Sequence, residues 1–155
     1  MRALALAVAA AAIAAAGCGS DDDATPDACL VSADAYVEAL DEAPGAVTLA
    51  DGTPISSCLT SGQDPAELSQ VGKAMVAAAT RLNADARREP GSEQNVALGY
   101  LVAAAHKGAE QTGGIHTDLV RRLDAAARFS PGGEPLSGSF ERAYSRGFSS
   151  GQASG

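Results

Sequence analysis

The segment QDPAELSQVGKAMVAAATRLNADARREPG, residues 63–91, carries the strongest secondary-structure signals in the chain. Asp64 is suited to cap a helix whose first residue is Pro65, with Glu67 in the first turn. Apolar residues then recur at steps of three and four, the spacing of one helical face. These residues are Leu68, Val71, Met75, Ala79, Leu82 and Ala86. Two arginines and then Pro90-Gly91 mark the end, so the segment predicts one long amphipathic helix.

Two further helices are predicted downstream, on either side of Gly113-Gly114. The first follows the capping residue Ser92 and is apolar over a broad arc, so we expect it to be the most buried helix. Its apolar residues are Val96, Leu98, Leu101, Val102 and Ala105, and those of the second are Ile115, Leu119, Val120, Leu123 and Ala127. Three helices with short connections predict a mostly α fold, with a three-helix antiparallel bundle at residues 63–130. Since alanine dominates the apolar residues, this core should depend on close helix packing over small side chains.

Residues 29–62 predict a helix followed by a short β-hairpin. Ser32 can cap the helix and Pro44-Gly45 ends it. Val47 and Leu49 then alternate with polar or small residues ahead of an Asp51-Gly52 turn signal, and a short return strand is expected at Ile55. Because Pro54 cannot donate a hydrogen bond to a sheet, this second strand should be an edge or very short.

Residues 131–155 are rich in Gly, Ser and Pro, and predict a loop-like tail. Within it, Phe140, Tyr144 and Phe148 recur every four residues, which suggests a short helix with one aromatic face. Two interpretations follow: the helix docks on its own bundle, which is the more common use of such a face, or it presents a surface to a partner.

The first seventeen residues have the organisation of a secretory signal peptide. Arg2 precedes the uncharged apolar run of residues 3–16, which is too short to span a bilayer as a permanent helix. The order Ala15-Ala16-Gly17-Cys18 resembles the lipobox of bacterial lipoprotein precursors, although Ala15 stands where that pattern usually has Leu. The resemblance implies that Cys18 receives a lipid and becomes the mature N-terminus, anchored by its acyl chains. An ordinary leader cleaved nearby is the alternative.

The next segment, residues 18–28, is acidic and contains Pro26, so we expect a flexible tether. With Cys18 carrying a lipid, Cys29 and Cys58 remain as one pair. In an exported chain two such cysteines most simply form a disulfide, which would close the helix–hairpin segment 29–62. They form no C-x-x-C pair, so a zinc site is disfavoured.

The net charge of −8 is unevenly distributed along the chain. Residues 18–62 contain nine acidic residues and no Lys or Arg, whereas residues 63–155 contain ten acidic and ten basic residues. The acidic segment would repel phosphate-rich partners, so nucleic-acid binding is disfavoured. It should also be repelled by an anionic lipid surface. Arg121, Arg122 and Arg128 give the third bundle helix a basic side, which is either a solvated face or a receiver for an anionic ligand.

Catalytic motifs are scarce: the sequence contains no G-x-S-x-G, Walker A, H-E-x-x-H or S-x-x-K pattern. The strongest candidates for metal binding or acid–base chemistry are His106, Glu110 and His116, which the tight Gly113-Gly114 turn could bring to one end of the bundle. The alternative is an exposed His106–Glu110 pair at i, i+4 and a His116 that supports the turn.

These observations predict an exported lipoprotein, held on the outer face of the cytoplasmic membrane or on another envelope membrane. The leading functional hypothesis is a non-enzymatic module that binds a protein or a small ligand without a cofactor. A metal- or histidine-dependent hydrolase is the second hypothesis, and a structural envelope lipoprotein without a specific ligand is the third.

Overall fold

The computed structural model describes residues 24–155. These residues form five α helices: α1 (Ala33–Ala39), α2 (Pro65–Arg88), α3 (Glu93–Glu110), α4 (Thr117–Arg128) and α5 (Gly138–Ser154). Short 3₁₀ turns lie at Asp27–Cys29, Leu40–Glu42, Ala50–Gly52 and Ile55–Cys58. The mostly helical fold class is therefore confirmed. The predicted signal peptide (residues 1–17), the lipidation site Cys18 and the first residues of the predicted tether lie outside the described residues.

Helix α2 begins and ends where its local signals place it. The Asp64 carboxylate accepts a hydrogen bond from the Ala66 N–H at 2.8 Å, and Pro65 is the first helical residue. The stripe from Val71 to Ala86 is buried, with Leu68 half-buried at its start. Helices α1, α3 and α4 all pack against α2.

Helix α3 is the central element of the fold. Twelve of its 18 residues are buried, and it packs against α2, α4 and α5. Its broad apolar arc thus has neighbours on several sides, as expected. The Ser92 hydroxyl makes no capping bond; the Asn95 side-chain oxygen instead accepts the Gly91 N–H at 2.8 Å.

Helix α4 begins later than predicted. Residues 111–116 form turns, with Gly113 and Gly114 at φ of 64° and 91°. Ile115 consequently lies before the helix and is 52% exposed, so the expectation that it faces the core is wrong. Leu119, Leu123 and Ala127 face the core as expected.

The C-terminal segment differs most from its prediction. Residues 131–137 are irregular, but a single 17-residue helix, α5, occupies Gly138–Ser154. A Cβ added to Gly147 would lie 1.9 Å from the carbonyl oxygen of Val96, and one added to Gly99 would lie 2.1 Å from that of Tyr144. The backbones of α3 and α5 approach this closely because both helices have glycine at the contact. Tertiary packing therefore outweighs the low helix propensity of glycine.

The predicted β-hairpin is wrong. The described residues contain no strand, and the segment has only an isolated bridge between Thr48 and Pro54. The turn itself forms, with Asp51 and Gly52 at positive φ (59° and 76°).

Pairing stops after this bridge for two reasons. Pro54 has no N–H to donate, and the Val47 N–H donates instead to the Tyr100 hydroxyl of α3, at 3.1 Å. Ile55 then starts a 3₁₀ turn instead of a strand. The segment around Val47 therefore docks on α3, and no second strand forms.

The predicted disulfide between Cys29 and Cys58 is confirmed, and both residues are fully buried. It joins the turn Asp27–Cys29 to the turn Ile55–Cys58. Thr25 and Ala28 are also buried, so the predicted tether, residues 18–28, is too long at its C-terminal end. The reason is local: the Gln63 side chain donates to the Thr25 hydroxyl at 2.9 Å and holds this part of the chain on the domain. Within residues 24–155, no helix has the combined length and apolarity that crossing a bilayer requires.

Candidate functional site

The aromatic residues of α5 line a groove between α4 and α5. Phe140, Tyr144 and Phe148 form a continuous row, with ring centroids 6.4 Å and 6.0 Å apart. Phe140 is buried at one end of the row, whereas Tyr144 and Phe148 are half-buried and partly open to solvent. The row thus docks on its own domain at one end and remains accessible along the rest.

Two neighbouring cavities, of about 280 Å³ and 470 Å³, make up this groove. They share Arg128, Tyr144 and Ser145, which makes them parts of one depression; we call it the α4–α5 groove. Its remaining lining residues are Ala127, Leu136, Phe140, Glu141, His106, Asp124, Phe148 and Ser149. An aromatic floor with a few polar groups at the rim is the usual composition of a ligand site.

His106 and Asp124 form the polar side of the larger cavity. The His106 Nε2 atom lies 3.2 Å from both carboxylate oxygens of Asp124, and its ring meets that of Phe148 edge-on at 5.8 Å. The other ring nitrogen, Nδ1, forms no hydrogen bond with a described residue. This geometry holds the imidazole in place and leaves one nitrogen available to a ligand.

Tyr144 lies at the junction of the two cavities. Burial, helped by nearby Asp124 and opposed by Arg128, raises the pKa of its hydroxyl to about 12. The phenol is therefore neutral at ordinary pH, so it can both donate and accept a hydrogen bond to a molecule in the groove.

His116 lies elsewhere, in the interior between α4 and the disulfide segment. The Gln63 side chain donates to the Cys58 carbonyl at 3.0 Å, which places its amide oxygen 2.8 Å from His116 Nε2. Nε2 must therefore carry the proton, and Nδ1 lies 2.8 Å from the Thr112 hydroxyl oxygen, which is also 2.8 Å from the Ala109 carbonyl oxygen. With both nitrogens in use and 1% exposure, His116 is a structural link between the disulfide segment and the bundle.

Burial lowers the pKa of His116, and this predicts a pH dependence of stability. The unfolded chain takes up a proton near the ordinary histidine pKa of about 6.5, but the folded chain does so only at lower pH. The contribution of neutral His116 to the free energy of unfolding should hence be complete above about pH 7. It should decrease as the pH falls below 6.5. Denaturant titrations at pH 7.5 and 5.5 should show a smaller difference for His116→Gln than for wild type. An equal difference in both proteins would contradict this role.

The structure does not bring His106, Glu110 and His116 together. Among residues 24–155 no group of three or more His, Cys, Asp or Glu side chains could hold a metal ion. Glu110 is exposed, and His106 pairs with Asp124 rather than with Glu110, so the predicted i, i+4 pair is also wrong. His106 lines the α4–α5 groove, whereas Glu110 is the last residue of α3.

The predicted basic side of α4 does not act as one surface. Arg121 pairs with Asp118 on its own helix, Arg122 lines a cleft against α2, and Arg128 lines the α4–α5 groove.

Several groove residues had no signal in the sequence. Asp124 lies on α4 and His106 on α3, so no spacing within one helix relates them. Ser145 and Ser149 share a face of α5 only because that segment is a full-length helix, and its glycine and serine content hides the helix. Phe140, Tyr144 and Phe148 were recognisable through their four-residue spacing, and His106 and Arg128 were singled out by residue type.

No protein-family model, no curated protein and no solved structure is significantly similar to this chain.

Proposed function

We propose that this protein is an exported lipoprotein that binds a protein or small ligand in the α4–α5 groove. The observation that carries the proposal is the accessible part of the aromatic row, Tyr144 and Phe148, beside the polar rim of His106, Asp124 and Arg128. Aromatic side chains supply a large contact area at low entropic cost, and a charged rim gives orientation. Binding of this kind needs no cofactor.

The anchor supports the same proposal. A lipid on Cys18 would hold the domain at the outer face of the cytoplasmic membrane or at another envelope membrane. The acidic segment that follows Cys18 would keep it from lying flat on anionic lipids. A tethered binding domain of this kind can then reach ligands in the envelope.

Site-specific photo-crosslinking in the producing cells tests the groove. A photoreactive residue replacing Ser145, which is exposed and lines both cavities, should give a reproducible adduct, protein or small molecule. The matched control replaces Thr80, which is exposed on α2 away from the groove. The adduct should disappear when Phe148→Ala removes part of the floor. No adduct, or the same adduct from both positions, would favour the structural lipoprotein without a ligand.

Replacing Cys18 with serine tests the anchor. Lipidation requires the thiol, so we expect the wild-type protein in the membrane fraction and Cys18→Ser in the soluble fraction. Intact mass of the wild-type protein should include the acyl chains, and Ser20→Ala is the matched control that keeps both properties. Cys18→Ser protein that remains with the membranes would contradict the lipobox interpretation.

One observation favours the hydrolase as a second candidate. The His106–Asp124 pair shares the 470 Å³ cavity with the hydroxyls of Ser145 and Ser149. A carboxylate that orients an imidazole beside a hydroxyl is the arrangement of a nucleophile with its general base. A fluorophosphonate probe should then label Ser145 or Ser149 in wild type but not in His106→Gln. An absence of labelling in wild type would exclude serine hydrolase chemistry.

A further inference from the structure

A second concave site lies between the first halves of α2 and α4, away from the α4–α5 groove. This cleft has a volume of about 300 Å³. One side comes from residues 65–73 of α2, and the other from residues 115–122 around the start of α4. We call it the α2–α4 cleft. It takes no part in the proposed function.

Apolar side chains line the base of this cleft. Leu68 from α2 and Leu119 from α4 both line it, as does Ile115, which is 52% exposed. Gly72 keeps the base open, because even a single Cβ there would reach to 3.4 Å from Leu119. A ligand that covers a half-exposed, branched apolar side chain removes apolar surface from water. This burial favours binding.

Positive charge lies at the mouth of the cleft. Lys73 of α2 and Arg122 of α4 both line it, and neither forms an ion pair or hydrogen bond with another described residue. The carboxylate that also lines it, Asp118, is already paired with Arg121. His116 is buried at the back with both nitrogens hydrogen-bonded, and it contributes no charge at neutral pH. Two free cations from facing helices are notable in a chain of net charge −8.

An apolar base below two cations fits an anion that carries an apolar chain. We propose that the α2–α4 cleft binds a medium-chain carboxylate, with the carboxylate between Lys73 and Arg122 and the chain along Leu68, Leu119 and Ile115. Arginine suits the carboxylate because its planar group can donate two parallel hydrogen bonds. The volume of about 300 Å³ is at the lower end of the range for ligand pockets, which favours a short chain.

NMR titration of the full-length protein, labelled with ¹⁵N and carrying Cys18→Ser to remove the lipid, tests the proposal with three probes. Octanoate, octylammonium and octanol share one chain and differ in head-group charge. Octanoate should shift the amide signals around Gly72 and Ile115, and it should bind about tenfold more tightly than octanol, since a charge-assisted hydrogen bond contributes roughly this factor. Octylammonium should bind more weakly than either.

Two substitutions test whether Lys73 and Arg122 bind the carboxylate. Lys73→Met keeps the apolar stem and removes the charge, and Arg122→Gln keeps a polar planar end; each should weaken octanoate binding about tenfold and leave octanol binding unchanged. Arg146→Gln removes an exposed cation from α5 and should change nothing. Both cleft residues are exposed, so the variants should fold. Equal binding of the three probes, equal affinity in the cleft variants, or shifts centred on Tyr144 instead of Gly72 would each overturn the proposal.

Discussion

Gly147→Ala should destabilise the protein by at least about 2 kcal/mol, although alanine is the better helix former. In the interior of a helix, alanine is favoured over glycine by about 1 kcal/mol. Here, however, the new Cβ would lie 1.9 Å from the Val96 carbonyl oxygen, a backbone atom that cannot move aside without shifting α3. Overpacking typically costs about 1–3 kcal/mol, and a backbone obstacle places this site at the upper end or above, so the steric effect exceeds the gain in propensity. The free energy of unfolding from denaturant titration measures the result.

Gly138→Ala is the matched control on the same helix. Its Cβ would meet only the end of the flexible Arg142 side chain, at 3.3 Å, and the residue is exposed in the first turn of α5. We expect Gly138→Ala to leave the free energy of unfolding unchanged or to raise it by up to about 1 kcal/mol. One substitution at two glycines of a single helix should thus change stability in opposite directions. If Gly147→Ala behaved like Gly138→Ala, the close contact between α3 and α5 would be wrong.

Removing the disulfide should lower the free energy of unfolding by an amount similar to that expected for Gly147→Ala, but for a different reason. The bond joins residues 29 positions apart, and in the chain-entropy model a loop of this length stabilises the fold by about 3.5 kcal/mol. The double variant Cys29→Ala/Cys58→Ala should unfold at a lower denaturant concentration. Its m-value should also rise, because the unfolded chain without the crosslink exposes more surface.

The disulfide experiment is cleanest in protein that already carries Cys18→Ser. In that background Cys29 and Cys58 are the only cysteines, so the reference protein has one disulfide and no free thiol. Equal unfolding midpoints in the two proteins would show that the segment before α2 is held by its other contacts alone.

The elements that were predictable from the sequence are those specified by local signals. The cap at Asp64, the proline at position 65 and the apolar stripe that follows define α2 without reference to the remainder of the chain. The disulfide was predictable by counting, since the predicted export and the predicted lipid on Cys18 would leave one pair. The turn at Asp51-Gly52 was also correct, because its residues favour positive φ wherever they occur.

The errors arise where distant parts of the chain decide the conformation. The return strand failed because Tyr100, 53 positions away, takes the hydrogen bond of Val47. Helix α5 was underestimated because its glycines were interpreted by composition, whereas Gly147 and Gly151 let α5 approach the backbone of α3 closely. Similarly, the partner of His106 lies on another helix, and the local candidate Glu110 was the wrong one. The aromatic spacing on α5 identified one side of the candidate site, whereas His106 and Arg128 were identified without their partners.

The Tyr100 hydroxyl has a consequence for the order in which the chain assembles. Its oxygen accepts the Val47 N–H and lies 3.2 Å from the Ser154 hydroxyl, so a single atom joins regions more than a hundred residues apart. Helices α2, α3 and α4 adjoin in sequence and can pair as soon as they are made, but this junction requires the last helix. A high contact order of this kind slows the final folding step. We therefore expect the nascent chain to keep the inner face of α3 uncovered until synthesis reaches α5, and to remain vulnerable to proteases and to association until then.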